Sequence, residues 1–227
     1  MARVTSGTLP STISNLINLQ ELILPVMGYT GTIPASIYGM SALTIVHLSF
    51  NKLTGTIDSS ICTATKLVSL SLQQNLLGGT IPSTIGSLGS LTLLDLRQNS
   101  LSGAIPSTIV SLTNLRELVL YSNSLTCTIP DNIGNMRTYL RILNLGSNQL
   151  IGTIPSTFNQ LTLDTFSLFT NYLTMGSLST VPSSTFSSYT INSMSSGNLG
   201  NNCLAFAFGT IINTATRCPT PGKMIIW

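Results

Sequence analysis

The chain contains a single histidine, His47, and Ser71 and Asp95 follow it at successive intervals of 24 residues. Serine, imidazole and carboxylate are the groups of a hydrolytic triad, in which the imidazole takes the serine proton and the carboxylate orients the imidazole. That chemistry needs the imidazole between the other two. Here the serine is the middle member, and on consecutive neighbouring strands His47 and Asp95 would stand about 9.6 Å apart. The row is therefore not read as a triad. Asp95 and Glu117 form a second pair of interest, since two carboxylates flanking a cleft serve an inverting glycosidase as acid and base. Arg97 and Arg116 accompany them, and mutual charge pairing on a solvated face is the simpler reading. The four cysteines lack metal-ligand spacing, and no cofactor is implied. The expectation is a protein that is not an enzyme.

Composition narrows the alternatives. Charged residues make up 7% of the 227 positions and apolar ones 43%, so a sizeable core is covered by an uncharged Ser, Thr, Asn and Gln surface, which suits the cell exterior. A net charge of +3 without a basic run argues against nucleic acid. The longest apolar stretches, such as Leu204 to Phe208, fall far short of the roughly 20 residues that span a bilayer. The first residues lack the features of a secretory signal and enter a repeat almost at once, which reads as a piece of a longer protein or a product whose signal was removed. No Asn-x-Ser/Thr glycosylation acceptor occurs.

The elements that position these side chains follow from that repeat. Asn51, Asn75, Asn99, Asn123, Asn148 and Asn171 are separated by 24, 24, 24, 25 and 23 residues. Apolar residues precede each Asn by eight, five and three positions, as in Leu67, Leu70, Leu72 before Asn75. Leu19, Leu22 and Leu24 fit the same frame, with Met27 in the Asn slot, which marks a degenerate first repeat. After the slot comes Gly-x-Ile-Pro, as at Gly79 to Pro82, with Asp58 replacing Pro and Cys127 replacing Gly in two copies. Period-two alternation marks a short strand with leucines inward. Stacking one strand per repeat buries leucines that no single repeat could bury. The buried Asn amides need backbone partners, in the turn and in the neighbouring coil. The proline is expected at the first position of a helical or 3-10 turn.

These residues, Leu-x-x-Leu-x-Leu-x-x-Asn-x-Leu-x-Gly-x-Ile-Pro, resemble the plant-type leucine-rich repeat family over roughly residues 7–181. The resemblance implies an α/β solenoid: a right-handed horseshoe or superhelix with a parallel concave sheet, short second strands and 3-10 or short helical turns on the convex side. Residues 1–186 would form the solenoid and 187–227 a cap and tail. Such caps are cysteine-pinned, which implies a disulfide between Cys203 and Cys218. Cys62 and Cys127 lie too far apart in the register to pair and are expected as buried thiols.

The family includes receptor ectodomains, inhibitors of cell-wall polysaccharide hydrolases and plain scaffolds. The expected function is extracellular or cell-surface recognition of a protein, peptide or glycan on the concave face, without nucleic acid or membrane insertion. The oligomeric state is left open. The candidate patch is Leu93, Asp95 and Arg97 with Glu117, Val119 and Tyr121 on the next strand, joined by His47, Phe50 and Phe169. Arg and Tyr are the types that most often dominate interfaces. Two alternatives stand beside it: inhibition of a cell-wall hydrolase, and ice binding by Thr-x-Thr rows such as Thr30/Thr32, Thr54/Thr56 and Thr126/Thr128.

Overall fold

The computed structural model describes residues 7–174 and the backbone of the strand Phe186–Tyr189. Alternating Leu-x-Leu segments become the strands Glu21–Ile23, Ile45–His47, Ser69–Ser71, Leu93–Asp95, Glu117–Val119, Ile142–Asn144 and Leu163–Ser167. Together with Phe186–Tyr189 they make an eight-stranded parallel sheet in strict chain order. Leu22, Val46, Leu70, Leu94, Leu118, Leu143 and Phe166 are Cα partners along it. All seven are buried, with the flanking leucines, in one continuous core. The strand Phe186–Tyr189 runs across the expected boundary at residue 186, and Cys203 and Cys218 lie outside the described residues. No helix among the described residues is long and apolar enough to cross a membrane.

Convex turns complete each coil. They are 3-10 segments, from Ser11–Asn15 to Ser156–Gln160. The proline stands one residue earlier than expected, at the N-cap, extended, with its carbonyl accepting the first turn hydrogen bond, as Pro82 does from Ile85 at 3.0 Å. Asp58 does this differently: its carboxylate accepts from the Ser60 amide at 2.8 Å, a side-chain cap in place of a locked φ. The 25-residue interval is absorbed by a six-residue turn, Ile133–Thr138.

The asparagines form the expected ladder. In Asn75, Oδ1 accepts from the Leu53 amide of the preceding coil at 3.0 Å, while Nδ2 donates to Leu48, Leu72 and Gln73 carbonyls. Asn51, Asn99, Asn123, Asn148 and Asn171 repeat the pattern. The residue before each slot is held left-handed, at φ 50 to 59° from Val26 and Phe50 to Thr170. Each such residue costs about 1 kcal/mol, and, at every slot but the one after Val26, the asparagine's donated hydrogen bonds offset it. Met27, without a carboxamide, keeps its coil in register because Asn51 accepts from both the Met27 and Tyr29 amides.

A second compensation governs the glycine slot. Gly31, Gly55, Gly79, Gly103 and Gly152 all have φ between 70 and 80°, and a Cβ on any of them would come within 2.7 to 3.0 Å of a threonine methyl one coil earlier. Those threonines are Thr8, Thr32, Thr56, Thr80 and Thr128. Cys127 occupies the slot at φ 64°, and the residue one coil earlier is Ala104, which has no γ-methyl to collide with. Cys127 is exposed and Cys62 half-buried, both free, which corrects the expectation of two buried thiols. The slot lies on the outer arc, where glycine was needed for backbone reasons and not for burial.

Candidate ligand-binding face

Three columns of side chains leave the concave sheet, at positions six, four and two before each asparagine. Every expected patch residue lies on this face or its rim, yet their accessibility differs. Arg97 is 41% exposed in its side chain; Leu93, Glu117, Tyr121, Phe169 and His47 are half-buried; Phe50 is exposed on the rim. Asp95 and Val119, in the middle column, are each 6% exposed. The outer columns lean over that middle one, so Asp95 can act only through its neighbours.

Arg97 is held from below and from the side. Its Nε donates to Gln73 Oε1 at 2.5 Å and lies 3.4 Å from Asp95 Oδ2, while Asp95 Oδ1 accepts the Arg97 amide at 3.2 Å. Burial pushes the Asp95 carboxyl above its ordinary range, against the Arg97 amide and guanidinium, which pull it down. Neither Nη makes a hydrogen bond among the described residues. The terminal edge of a planar, oriented guanidinium thus faces solvent, in the geometry that takes a carboxylate bidentately.

Tyr121 and Phe169 share Arg97's column but sit two coils from each other. Their ring centroids are nevertheless 5.6 Å apart at 49°. Gly146 occupies the column position between them, and a Cβ there would meet Phe169 at 3.0 Å. The missing side chain lets the two rings close over the gap. Gln73 and Gly146 were not singled out from the sequence, although each stands in the column of a residue that was: Gln73 is 24 positions before Arg97.

The remaining polar candidates bond to near neighbours. His47 Nε2 is 2.7 Å from Ser69 Oγ, off the His47–Ser71–Asp95 row, and Ser71 Oγ is bonded to Ser49 Oγ at 2.9 Å. Burial lowers the His47 pKa and Glu21 raises it, but no ion pair joins the two among the described residues. Asp95 pairs with Arg97, as charge pairing on this face implied, whereas Glu117 and Arg116 form no ion pair among the described residues. No three metal-ligating side chains come together among the described residues. On the outer arc Thr32, Thr54, Thr56, Thr80, Thr128 and Thr153 are exposed. Their strands pair with a two-residue slip against the repeat, Thr32 facing Thr54 and Thr56 facing Gly78, so the rows are staggered.

Leucine rich repeat models match residues 65–125, and again residues 42–64 and 139–161. No curated protein matches the chain. The structure is similar to a plant peptide hormone receptor, RGFR1, in complex with RGF2: 36% identity over 74% of this chain and 27% of that chain, TM-score 0.73. The chain thus spans about a quarter of that match's length. It is similar also to the BIR3–SERK2 complex from Arabidopsis thaliana, at 37% identity over 59% of this chain and 70% of that one, TM-score 0.52. A plant ice-binding protein shares the fold alone, at 24% identity over 82% of this chain and 77% of that one, TM-score 0.54.

Proposed function

Because the chain belongs to the plant-type leucine-rich repeat family, we propose that it is a non-enzymatic extracellular or cell-surface recognition module holding a protein or peptide ligand against its concave sheet. The observation that carries this reading is the Arg97 guanidinium, fixed by Gln73 and Asp95 with its terminal edge open, beside the Tyr121–Phe169 pair. A charged fork and an aromatic wall on one rigid column supply directed hydrogen bonds and apolar area together, the pairing found at interface hot spots. Leu93 and Glu117 stand on the opposite outer column, across the buried middle one, and His47 and Phe50 extend the face toward the first coils. The RGFR1 structure with RGF2 supports a peptide occupant, and the BIR3–SERK2 complex a protein one.

A ligand obtained by affinity capture should lose about 2 kcal/mol of binding on Arg97→Ala or Tyr121→Ala, with the thermal midpoint little changed because both side chains reach solvent. Retention of full affinity by both variants, with loss on Thr56→Tyr, would move the site to the threonine rows. The exposure of those threonines favours ice binding as the second reading, and ice crystals left unshaped by concentrated protein would remove it.

A further inference from the structure

The spacing along the Arg97 column constrains the conformation of whatever peptide lies on it. Arg97, Tyr121, Gly146 and Phe169 occupy four consecutive coils. Strands in a sheet are about 4.8 Å apart, so the Arg97 fork and the middle of the ring pair, above Gly146, are separated by about 9.6 Å along the stack. A peptide bridging them must place two side chains on one face at that distance. An extended strand advances about 3.3 Å per residue and repeats its face every two, giving about 6.6 or 13 Å, neither of which fits. A polyproline II helix has three residues per turn and rises about 3.1 Å per residue, which brings residues i and i+3 to the same face about 9.3 Å apart.

The two ends then select side chains by chemistry. The open Nη edge of Arg97 has donors only, so it takes a carboxylate. Tyr121 and Phe169 offer tilted ring faces and edges at 5.6 Å, a surface that packs a flat apolar ring. Proline satisfies that surface and also presets the backbone at the required φ, lowering the ordering cost of binding. Gly146 adds no side chain that would push the Phe169 ring away from Tyr121 and break up this surface.

We propose that the occupant of this face is an acidic peptide segment in polyproline II conformation, its carboxylate on Arg97 and the ring of a proline or aromatic residue three positions away on Tyr121 and Phe169. This deepens the concave-face reading and rests on it. The test is a randomised heptapeptide display library panned on the full chain, followed by fluorescence anisotropy on the synthesised winners. Winners should carry Asp or Glu three positions from Pro, Phe, Tyr or Trp. Changing the peptide acid to its amide should weaken binding to the wild-type chain about tenfold and leave binding to Arg97→Ala unchanged, while Arg97→Lys retains only part of the acid preference. Replacing the peptide ring with Ala should cost about tenfold on wild type and nothing on Phe169→Ala. Winners that depend on Tyr121 and Arg97 but show a spacing of two or four, or no acid, would overturn the inference and leave the concave-face reading standing. Winners indifferent to every concave substitution, or no winners, would overturn both.

Discussion

Replacing Asn123 with alanine tests whether the ladder holds the coils together. Its Oδ1 is the acceptor for the Leu101 amide at 3.0 Å, and Leu101 is fully buried. Without it that N–H has no water to turn to, at about 1 to 3 kcal/mol. The carbonyls of Leu96 and Leu120 lose one donor each but keep Asn99 and Asn148, so each loss falls near about 0.5 kcal/mol, the low end for a net hydrogen bond. The left-handed Ser122 also loses support. The sum is about 3 kcal/mol, or a thermal midpoint lower by about 6 to 12 °C for a chain of this size. Asn114→Ala is the control: its Nδ2 donates to Gly89 O at an exposed site, and its loss should cost under about 0.5 kcal/mol. Asn123→Asp adds a sign. One oxygen still accepts from Leu101, while the other faces two carbonyls, so the folded state favours the protonated acid and its pKa rises. A raised folded pKa gives stability that is present below the unfolded value and is lost as pH rises through the folded one. Calorimetry should find Asn123→Asp recovering toward wild type at acid pH. Equal midpoints for wild type and Asn123→Ala, or a pH-independent Asn123→Asp, would refute the ladder's energetic role.

Three further outcomes are expected. Ala104→Thr should place a methyl against the Cys127 Cβ at the spacing seen for the five glycine slots and cost about 1 to 3 kcal/mol as overpacking; adding Cys127→Gly should restore most of it, and additive losses in denaturant melts would count against the compensation. Burial raises the Asp95 pKa, so its contribution to stability is present at low pH and lost as pH rises through the folded value; Asp95→Asn should flatten that fall in melts between pH 4 and 7, and an unchanged slope would reject it. Under native conditions a thiol reagent should modify exposed Cys127 before half-buried Cys62; in denatured, unreduced protein from a secretory host only two thiols should react, and four would dismiss the Cys203–Cys218 bond.

What the sequence discloses is whatever repeats. The asparagine register, the leucine columns and the solenoid could be read because each is stated several times over, and periodicity converts directly to geometry. The misreadings concern features that one residue decides by its surroundings. Cys127 reads as a buried thiol because free cysteine usually is one, yet its slot is set by backbone φ and lies exposed. His47 does share a row with Ser71 and Asp95, as the Cα partners show, but its ring reaches Ser69 on a diagonal that the register does not reveal. Asp95 and Val119 occupy expected surface columns and are covered by their neighbours. The Tyr121–Phe169 pair depends on an absence at Gly146, and a missing side chain leaves no mark in a hydrophobic pattern.

Every ladder asparagine reaches backward. Asn75 closes the Leu53 amide, Asn99 that of Leu77, Asn123 that of Leu101, Asn148 that of Leu125 and Asn171 that of Leu150; none of them serves the coil that comes after. The stack therefore has a direction of assembly. A polypeptide emerging from the ribosome amino end first carries, in its newest coil, an amide that still lacks its side-chain acceptor, and the next 24 or so residues to emerge bring the carboxamide that finishes it. Extension repairs the growing end, while peeling from the carboxyl end reopens a buried amide at every step.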